Sequence, residues 1–212
     1  PPRSTLFPYT TLFRSAMDLP EAISFIRSST RKMDGLINAI LKISREGKRV
    51  LRAEAIDLPA ALQAAAAAVH HQATENGDGI TVESPPLKIR SDRLSIEQVL
   101  GNLLDNAIKY RSPKRELHVV MRAKREKSGW VVIEVEDNGR GIAATDHERI
   151  FELFRRSGAQ DKPGEGIGLA HVRTIVRNLG GDITVSSELD AGTTFSILLP
   201  PDLSAVQRST ST

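Results

Sequence analysis

Two strand-like segments joined by a short charged turn constrain the fold of this chain most strongly. ELHVVMRAK at 116–124 and WVVIEVED at 130–137 are rich in β-branched residues, and REKSG between them is typical of a hairpin turn. Elsewhere strands and helices are mixed, without a repeating strand–helix–strand order. The pattern therefore predicts an α+β sandwich in which a mixed sheet packs on helices.

Periodicity predicts the other elements in chain order. A strand at 49–56 precedes a helix that Asp57 caps and that runs from Pro59 to about Glu75, followed by two short strands, ITVES and LKIRS. A long helix at 93–110 comes before the hairpin. After the hairpin we expect a short helix in TDHERIFELFR, a glycine-rich loop, a helix in LAHVRTIVRNL and two strands, DITVSSE and GTTFSILLP.

Both ends of the chain are expected to lie outside the folded domain at 49–200. TLFPYTTLFRS at 5–15 resembles the in-frame translation of a common sequencing adapter, so residues 1–15 are excluded from the fold prediction. The natural protein is therefore expected to continue upstream. Residues 201–212 are polar and rich in serine, and we expect them to form a disordered tail.

One long amphipathic helix is predicted within residues 16–48. Its apolar residues recur at steps of three and four and form a narrow stripe: Ile23, Ile26, Met33, Ile37 and Ile40. A lone helix cannot bury such a stripe, so we expect partner helices in a hairpin or a dimeric bundle.

Composition excludes several classes of protein. The chain has no cysteine, so disulfides and thiolate metal sites are impossible. Its apolar runs are far shorter than the ~20 residues of a membrane span, so no membrane contact is expected for this part of the protein. The net charge of +3 comes with only 4% aromatic residues, which does not favour a nucleic-acid surface.

The long helix at 93–110 has one apolar and one polar face. Helical geometry places Asn102, Asn106, Lys109 and Tyr110 together, opposite the leucines. Amide oxygens suit a hard cation such as Mg²⁺, a lysine suits a phosphate, and a tyrosine can stack on a base. An ordinary amphipathic helix explains this face equally well when it is considered alone.

Two glycine-rich motifs favour a nucleotide site. In DNGRGI, Asp137 can accept a hydrogen bond from an exocyclic amine, and two glycines let a ring approach the backbone. GEGIGL opens a helix, where N–H groups and the helix dipole favour phosphate. The second motif follows a polar loop in place of a strand, so it is not a Rossmann fingerprint, and it lacks the Gly-Lys-Ser/Thr of a Walker loop.

Five motifs, in this order and at these separations, resemble the N, G1, F, G2 and G3 boxes of the sensor histidine kinase ATP-binding domain: NLLDNAIKY, DNGRGI, IFELFRR, GEGIGLAHV and GTTF. The resemblance covers residues 20–200. It implies the Bergerat fold, an α/β sandwich with a mobile lid over ATP. It also implies that 16–48 holds the second helix of a dimerisation hairpin.

The resemblance assigns roles to the residues of these motifs. Asn106 would bind Mg²⁺, with Asn102 helping to hold the ion and the triphosphate, while Lys109 would contact phosphate. Tyr110 would contact adenine, and Asp137 would bind the amino group of adenine. The remaining pocket and lid positions are Gly139, Gly141 and Ile142 at the base, Gly164, Gly166, Gly168 and Leu169 at the lid and phosphates, and Thr193 on a strand face shared with Phe195.

The lid residues carry two further expectations. Phe151 and Phe154 are expected to anchor the lid by burial. Arg155 or Arg156 is expected to stabilise the transferring phosphate, although a solvated lid charge is an equal alternative.

One position separates this chain from the hydrolytic members of the same fold. Those ATPases use a glutamate one helical turn before the magnesium asparagine, whereas this chain has Asn102 there. An amide cannot act as a general base, so the γ-phosphoryl group is expected to go to an acceptor other than water. Glu97 lies on the wrong side of the helix to substitute for that glutamate.

In this family the acceptor is a histidine on the first hairpin helix. None of the chain's five histidines has that context: His70, His71, His118, His147 and His171. The acceptor is therefore expected upstream. The resemblance implies a homodimer that passes phosphate to a response regulator receiver domain. This part of the protein is expected in the cytoplasm, with an inner-membrane anchor in upstream segments as an open alternative for the intact protein. The alternatives are a serine kinase of the anti-sigma type and a non-catalytic nucleotide-binding scaffold.

Overall fold

The computed structural model of the chain describes residues 19–30, 33–35, 37, 40–41, 49–73, 79–155 and 166–204. The chain forms two compact units, residues 1–42 and 43–212. In the first unit the described residues are helical, and the apolar stripe predicted from the sequence is exposed along it. No helix in these ranges is both long and apolar enough to cross a membrane.

The second unit contains seven strands and three α-helices within its described residues. In chain order these are β1 (Glu54–Asp57), α1 (Leu58–Ala73), β2 (Gly79–Glu83), β3 (Lys88–Ser91), α2 (Arg93–Lys109), β4 (His118–Arg125), β5 (Val131–Asp137), α3 (Gly168–Asn178), β6 (Asp182–Glu188) and β7 (Gly192–Leu199). Short 3-10 turns at Ala144–Asp146 and Arg149–Phe151 lie between β5 and α3.

Five strands form one mixed sheet with the order β2-β4-β5-β7-β6. Strand β2 is parallel to β4, and the other neighbours are antiparallel. Strands β1 and β3 form a separate antiparallel pair. The predicted hairpin is confirmed as β4–β5, and the mixed sheet packed on helices confirms the predicted α+β sandwich.

Alternation along the strands decides which sheet face is buried. In β7 the residues Thr193, Phe195, Ile197 and Leu199 are buried, and the residues between them are half-buried. Helices α2 and α3 contact each other, and they contact β5 and β6 respectively. The apolar faces of these helices and the inner face of the sheet therefore form one hydrophobic core.

The strand predicted at 49–56 is shorter in the structure, where β1 begins at Glu54. Two of the preceding residues, Arg49 and Arg52, bond to the cap at the start of α2. The backbone N–H of Arg52 donates to Asp92 Oδ2 at 2.8 Å, and the Arg49 guanidinium lies 2.5 Å from Asp92 Oδ1. Alternation alone predicts a strand for these residues, but in the structure they form hydrogen bonds to a helix cap.

The prediction of a short α-helix in TDHERIFELFR is wrong, because the structure has two 3-10 turns there. Glu152 is extended, with φ −78° and ψ 149°, and Phe154 has a φ of 64°. This path allows the N–H of Phe154 to donate to the carbonyl of Gly166 at 2.9 Å. A tertiary hydrogen bond thus ends the helical path before a full α-helix forms.

Asp92 caps α2 and is the most heavily bonded carboxylate at that end of the domain. Its Oδ1 accepts from the N–H of Ser95 at 2.9 Å, in addition to its bonds from Arg49 and Arg52. Burial raises the pKa of Asp92, but the bonds from Arg49, Arg52 and Ser95 outweigh that effect and lower the pKa to about 2. The ionised carboxylate therefore stabilises the folded domain.

We expect Asp92→Asn to lower the free energy of unfolding by about 2 kcal/mol at pH 7, because the native pKa lies below the unfolded value of 3.8. The contribution of the wild-type carboxylate is complete above pH 4 and is lost as the pH falls toward 2. Urea unfolding at pH 7 and pH 3.5 measures the difference, which should narrow at the lower pH.

Asp190→Asn is the matched control for this substitution. The Asp190 carboxylate pairs with Lys114 at 3.2 Å and both side chains are exposed, so its loss should change stability by less than about 0.5 kcal/mol. Equal effects of the two substitutions would contradict the role assigned to the Asp92 cap.

Candidate functional site

The polar face of α2 is half-buried beside the start of α3. Asn102, Asn106 and Lys109 are half-buried residues of α2, and half-buried Tyr110 follows them as the C-cap of the helix. The side-chain N–H of Asn102 donates to the Gln98 carbonyl at 2.7 Å, and this bond orients the amide. A Cβ added to Gly168, the first residue of α3, would lie 3.4 Å from Asn102 Oδ1. The amide oxygen thus faces the amino end of α3.

Asp137 ends β5 in a half-buried position. Its Oδ1 accepts a hydrogen bond from the N–H of Gly139 at 2.8 Å, and it pairs across the sheet with Thr193. Burial raises the pKa of Asp137 to about 6, although the backbone N–H groups of Gly139 and Thr193 lower it and neighbouring Glu136 raises it further. A partly desolvated carboxylate is a strong hydrogen-bond acceptor for a bound amine.

The two glycines after Asp137 are required by the packing of the loop itself. A Cβ on Gly139 would lie 2.7 Å from Asp137 Oδ1 and 2.8 Å from the Tyr110 carbonyl. Gly141 has a φ of 70°, and a Cβ there would lie 1.8 Å from the carbonyl oxygen of Glu188. These glycines let the loop approach α2 and β6, a constraint that holds without any ligand.

The aromatic ring of Tyr110 connects α2 to this loop. The Arg140 guanidinium lies 4.4 Å from the ring centroid, and the Lys109 ammonium lies 5.0 Å from it. The N–H of Arg140 also donates to the Tyr110 carbonyl at 3.0 Å. Cation–π contacts and a backbone bond therefore hold the ring beside the loop that follows Asp137.

Ser187 joins three parts of the site, although the sequence analysis did not identify it. Its Oγ accepts from the N–H of Ile142 at 2.8 Å, lies 2.9 Å from Thr193 Oγ1, and donates to the Gly192 carbonyl at 2.7 Å. The available signal was a serine at an inward-facing position of a strand. Such a side chain needs polar partners, so its position pointed to a network.

The segment after β5 packs on the core through Ile150 and Phe151. Phe151 is buried and contacts Phe195 edge to face, with ring centroids 6.4 Å apart, and the Arg173 guanidinium lies 5.3 Å from the Phe151 ring. Phe154 is 37% exposed, so the expectation that both phenylalanines are buried is wrong for this one. Its backbone bond to Gly166 takes it away from the core.

The structure describes most, but not all, of the predicted lid and phosphate residues. Arg155 forms an exposed ion pair with Glu152 at 3.0 Å, while Gly166 has a φ of 72°. Leu169 and Ile142 pack at the edge of the core. The predicted positions Arg156 and Gly164 lie outside the described residues.

The histidines whose side chains the structure describes are packed or lie at the surface. His171 is buried in α3, His118 is exposed on β4, and the His147 ring nitrogen lies 3.2 Å from the Ile142 carbonyl. His70 and His71 lie in α1, and their side chains are outside the described set.

A metal ion at this site would depend on amide and phosphate oxygens. In the described ranges no group of three or more His, Asp or Glu side chains could hold a metal ion. The Asn102 amide is held with its oxygen toward the amino end of α3, and Asn106 lies one turn farther along the same face. This donor set fits a hard cation shared with an anionic ligand.

Comparison with known proteins gives consistent matches. The family model for histidine kinase-, DNA gyrase B-, and HSP90-like ATPases matches residues 91–203. The chain is 28% identical over 187 residues to the signal transduction histidine-protein kinase ArlS of Staphylococcus epidermidis. That match covers 86% of this chain and 40% of ArlS, so the chain spans less than half the length of this relative.

Two solved structures resemble the chain closely enough to compare folds. The mycobacterial sensor histidine kinase MprB has a TM-score of 0.63 and 28% identity, covering 69% of this chain and 97% of that one. Full-length ShkA, in complex with AMPPNP, has a TM-score of 0.69 and 29% identity, covering 85% of this chain and 38% of that one.

In the absence of ligand, we expect Asp137→Asn to raise the free energy of unfolding by about 2 to 3 kcal/mol at pH 7.5. The native pKa of about 6 lies above the unfolded value of 3.8, so the charged carboxylate destabilises the fold above pH 6. That cost disappears as the pH falls from 6 toward 4. Urea unfolding at pH 7.5 and pH 5 should therefore show a gain that shrinks at the lower pH.

Asp182→Asn, at an exposed position at the start of β6, is the control and should leave stability nearly unchanged at both values of pH. A loss of stability in Asp137→Asn at pH 7.5 would contradict the destabilisation assigned to the ionised Asp137 carboxylate.

Proposed function

The chain belongs to the family of histidine kinase-, DNA gyrase B-, and HSP90-like ATPases and contains the ATP-binding catalytic domain of a sensor histidine kinase, and we propose that this domain transfers the γ-phosphoryl group of ATP to a histidine. The observation that carries the proposal is the half-buried carboxylate of Asp137, which the Gly139 N–H binds at 2.8 Å. Its burial destabilises the empty domain, and a bound amine offsets that cost.

The adenine end of the proposed site lies between β5, β7 and the end of α2. Asp137 accepts a hydrogen bond from the 6-amino group of adenine, and the ring lies near Tyr110, Ile142 and Thr193. The Ser187 hydroxyl bonds to Ile142 and lies beside Thr193, which supports a pocket of defined shape. Gly139 and Gly141 keep side chains out of this region.

The triphosphate end of the proposed site lies between the polar face of α2 and the start of α3. Asn106 and Asn102 would hold Mg²⁺, which when bound neutralises charge on the phosphates. Lys109 contacts phosphate directly. The N–H groups at the start of α3, with Gly166, Gly168 and Leu169, complete the phosphate-binding surface, together with Gly164. Arg155 or Arg156 stabilises the charge on the transferring group.

Transfer to a protein acceptor is favoured over hydrolysis because the position of a general base holds an amide. The Asn102 side chain donates to the Gln98 carbonyl and has no group that can remove a proton from water. Glu97, five residues before Asn102, and Asp105, three residues after it, are both exposed. The domain therefore lacks, among these helix residues, the carboxylate that water attack needs.

The partners of the whole protein follow from this proposal. A histidine on a dimerisation hairpin accepts the phosphoryl group, and an aspartate on a response regulator receiver domain then receives it. The exposed apolar stripe of the helix in the first unit is consistent with a homodimeric hairpin bundle. We place this part of the protein in the cytoplasm, where ATP and receiver domains are found.

We expect the chain to bind ADP in the presence of Mg²⁺, with the affinity of Asn106→Ala reduced by at least about tenfold. The loss should be specific to magnesium, because the asparagine acts through the ion. In EDTA the two proteins should bind ADP with similar affinities. Isothermal titration calorimetry measures all four values.

Asp105→Asn is the matched control because this neighbouring carboxylate is exposed on α2. Its affinity for Mg²⁺·ADP should equal that of the wild type. The function proposed here would be wrong if the wild-type chain bound no adenine nucleotide under either condition.

A second experiment separates the kinase from its alternatives. The protein, extended to include an acceptor hairpin, is incubated with γ-labelled ATP, and the label is tested in acid and in base. A histidine kinase gives a label that is lost in acid and retained in base. A serine kinase gives an acid-stable label, and a scaffold that only binds nucleotide gives none.

A further inference from the structure

Arg115, in the turn before β4, binds four backbone carbonyls on two different loops. Its Nε donates to the Asn138 carbonyl at 2.7 Å, and its Nη2 donates to the carbonyls of Gly139 at 2.9 Å and Ala191 at 3.3 Å. The same nitrogen also contacts the Asp190 carbonyl. One side chain thus joins the loop after β5 to the turn between β6 and β7.

These two loops flank the pair formed by Asp137 and Thr193, which are partners across β5 and β7. The side chain of Asn138 adds a second brace. Its Nδ2 donates to the Glu116 carbonyl at 2.9 Å, and its Oδ1 accepts from the N–H of His118 at 2.8 Å. The loop is therefore held to the turn before β4 from both directions.

The Asn138–Gly139 peptide is hydrogen-bonded on both of its sides. Its carbonyl accepts from Arg115 at 2.7 Å, and its N–H donates to Asp137 Oδ1 at 2.8 Å. A peptide unit is planar, so fixing the direction of the carbonyl also fixes the direction of the N–H. Arg115 therefore determines where the Gly139 N–H points, and this N–H holds the carboxylate of Asp137.

We propose that Arg115 is a positioning residue for adenine recognition, which aims the carboxylate of Asp137 at the 6-amino group through the Asn138–Gly139 peptide. The proposal rests on the nucleotide-binding function above. A charged donor on the carbonyl polarises the peptide and strengthens its N–H as a donor on the other side. Arg115 touches neither the carboxylate nor the base in this arrangement.

An arginine suits this task better than a lysine. Its planar guanidinium has five N–H donors in a fixed geometry and can bond several carbonyls at once, whereas an ammonium is a single point of charge. The adjacent Lys114 forms an exposed ion pair with Asp190. Arg115 is itself exposed, so its substitution should change the loop without opening the core.

The test compares the affinities of ADP and inosine diphosphate, which differ in the purine ring by a 6-amino against a 6-oxo group. In the wild type we expect ADP to bind more tightly, because only the amino group donates to Asp137. In Arg115→Ala the affinity for ADP should fall by about five- to tenfold while that for inosine diphosphate changes little. The ratio of the two affinities should fall by the same factor.

Two further variants sharpen this test. Arg115→Lys keeps the charge and should retain part of the discrimination, because it can bond fewer carbonyls. Lys114→Ala removes only the ion pair to Asp190 and should leave the ratio unchanged. Urea unfolding of each variant checks that the domain remains folded during the binding measurements.

The possible failures can be told apart. If the wild type discriminates but Arg115→Ala keeps the same ratio, or loses both affinities equally, the positioning role is wrong and the proposed function stands. If the wild type binds both nucleotides equally, the adenine role of Asp137 is wrong and the positioning role falls with it. If the wild type binds neither, the proposed function itself fails.

Discussion

The half-buried carboxylate of Asp137 is the group around which the proposed site is organised. It lies at the end of β5, where pairing with β7 brings Thr193 beside it and the Gly139 N–H binds it at 2.8 Å. Burial raises its pKa to about 6, so the charged form is costly near neutral pH. The hydrogen bonds that remain orient the carboxylate, and the cost favours a ligand that supplies another donor.

The loop after Asp137 meets the demands of both the fold and the site. Gly141 must be glycine because a side chain would collide with the Glu188 carbonyl. The same close approach allows the N–H of Ile142 to donate to Ser187 Oγ, which in turn lies beside Thr193. Packing constraints and site geometry therefore arise from the same backbone path, so a change in one alters the other.

Helix α2 is a rigid element that carries both the Asp92 cap at its start and the amides of its polar face. At its start, Asp92 caps the helix and binds Arg49 and the backbone of Arg52. Along its polar face, Asn102 and Asn106 lie one turn apart. Because the cap fixes the start of the helix and the leucines fix its rotation on the sheet, both amides are placed without flexible connections.

The sequence by itself determined the order and type of most elements, the buried face of each, and the residues on the polar face of α2, since these depend on periods of 2 and 3.6 residues that are local. It also identified Asp137 through its glycine context. Only the tertiary structure decided that β5 lies beside β7, that Phe154 turns away from the core to reach Gly166, and that Arg115 and Ser187 bond to the loop after Asp137. Periodicity shows which side of a strand is buried, but contacts between residues distant in the chain depend on which strand becomes its neighbour.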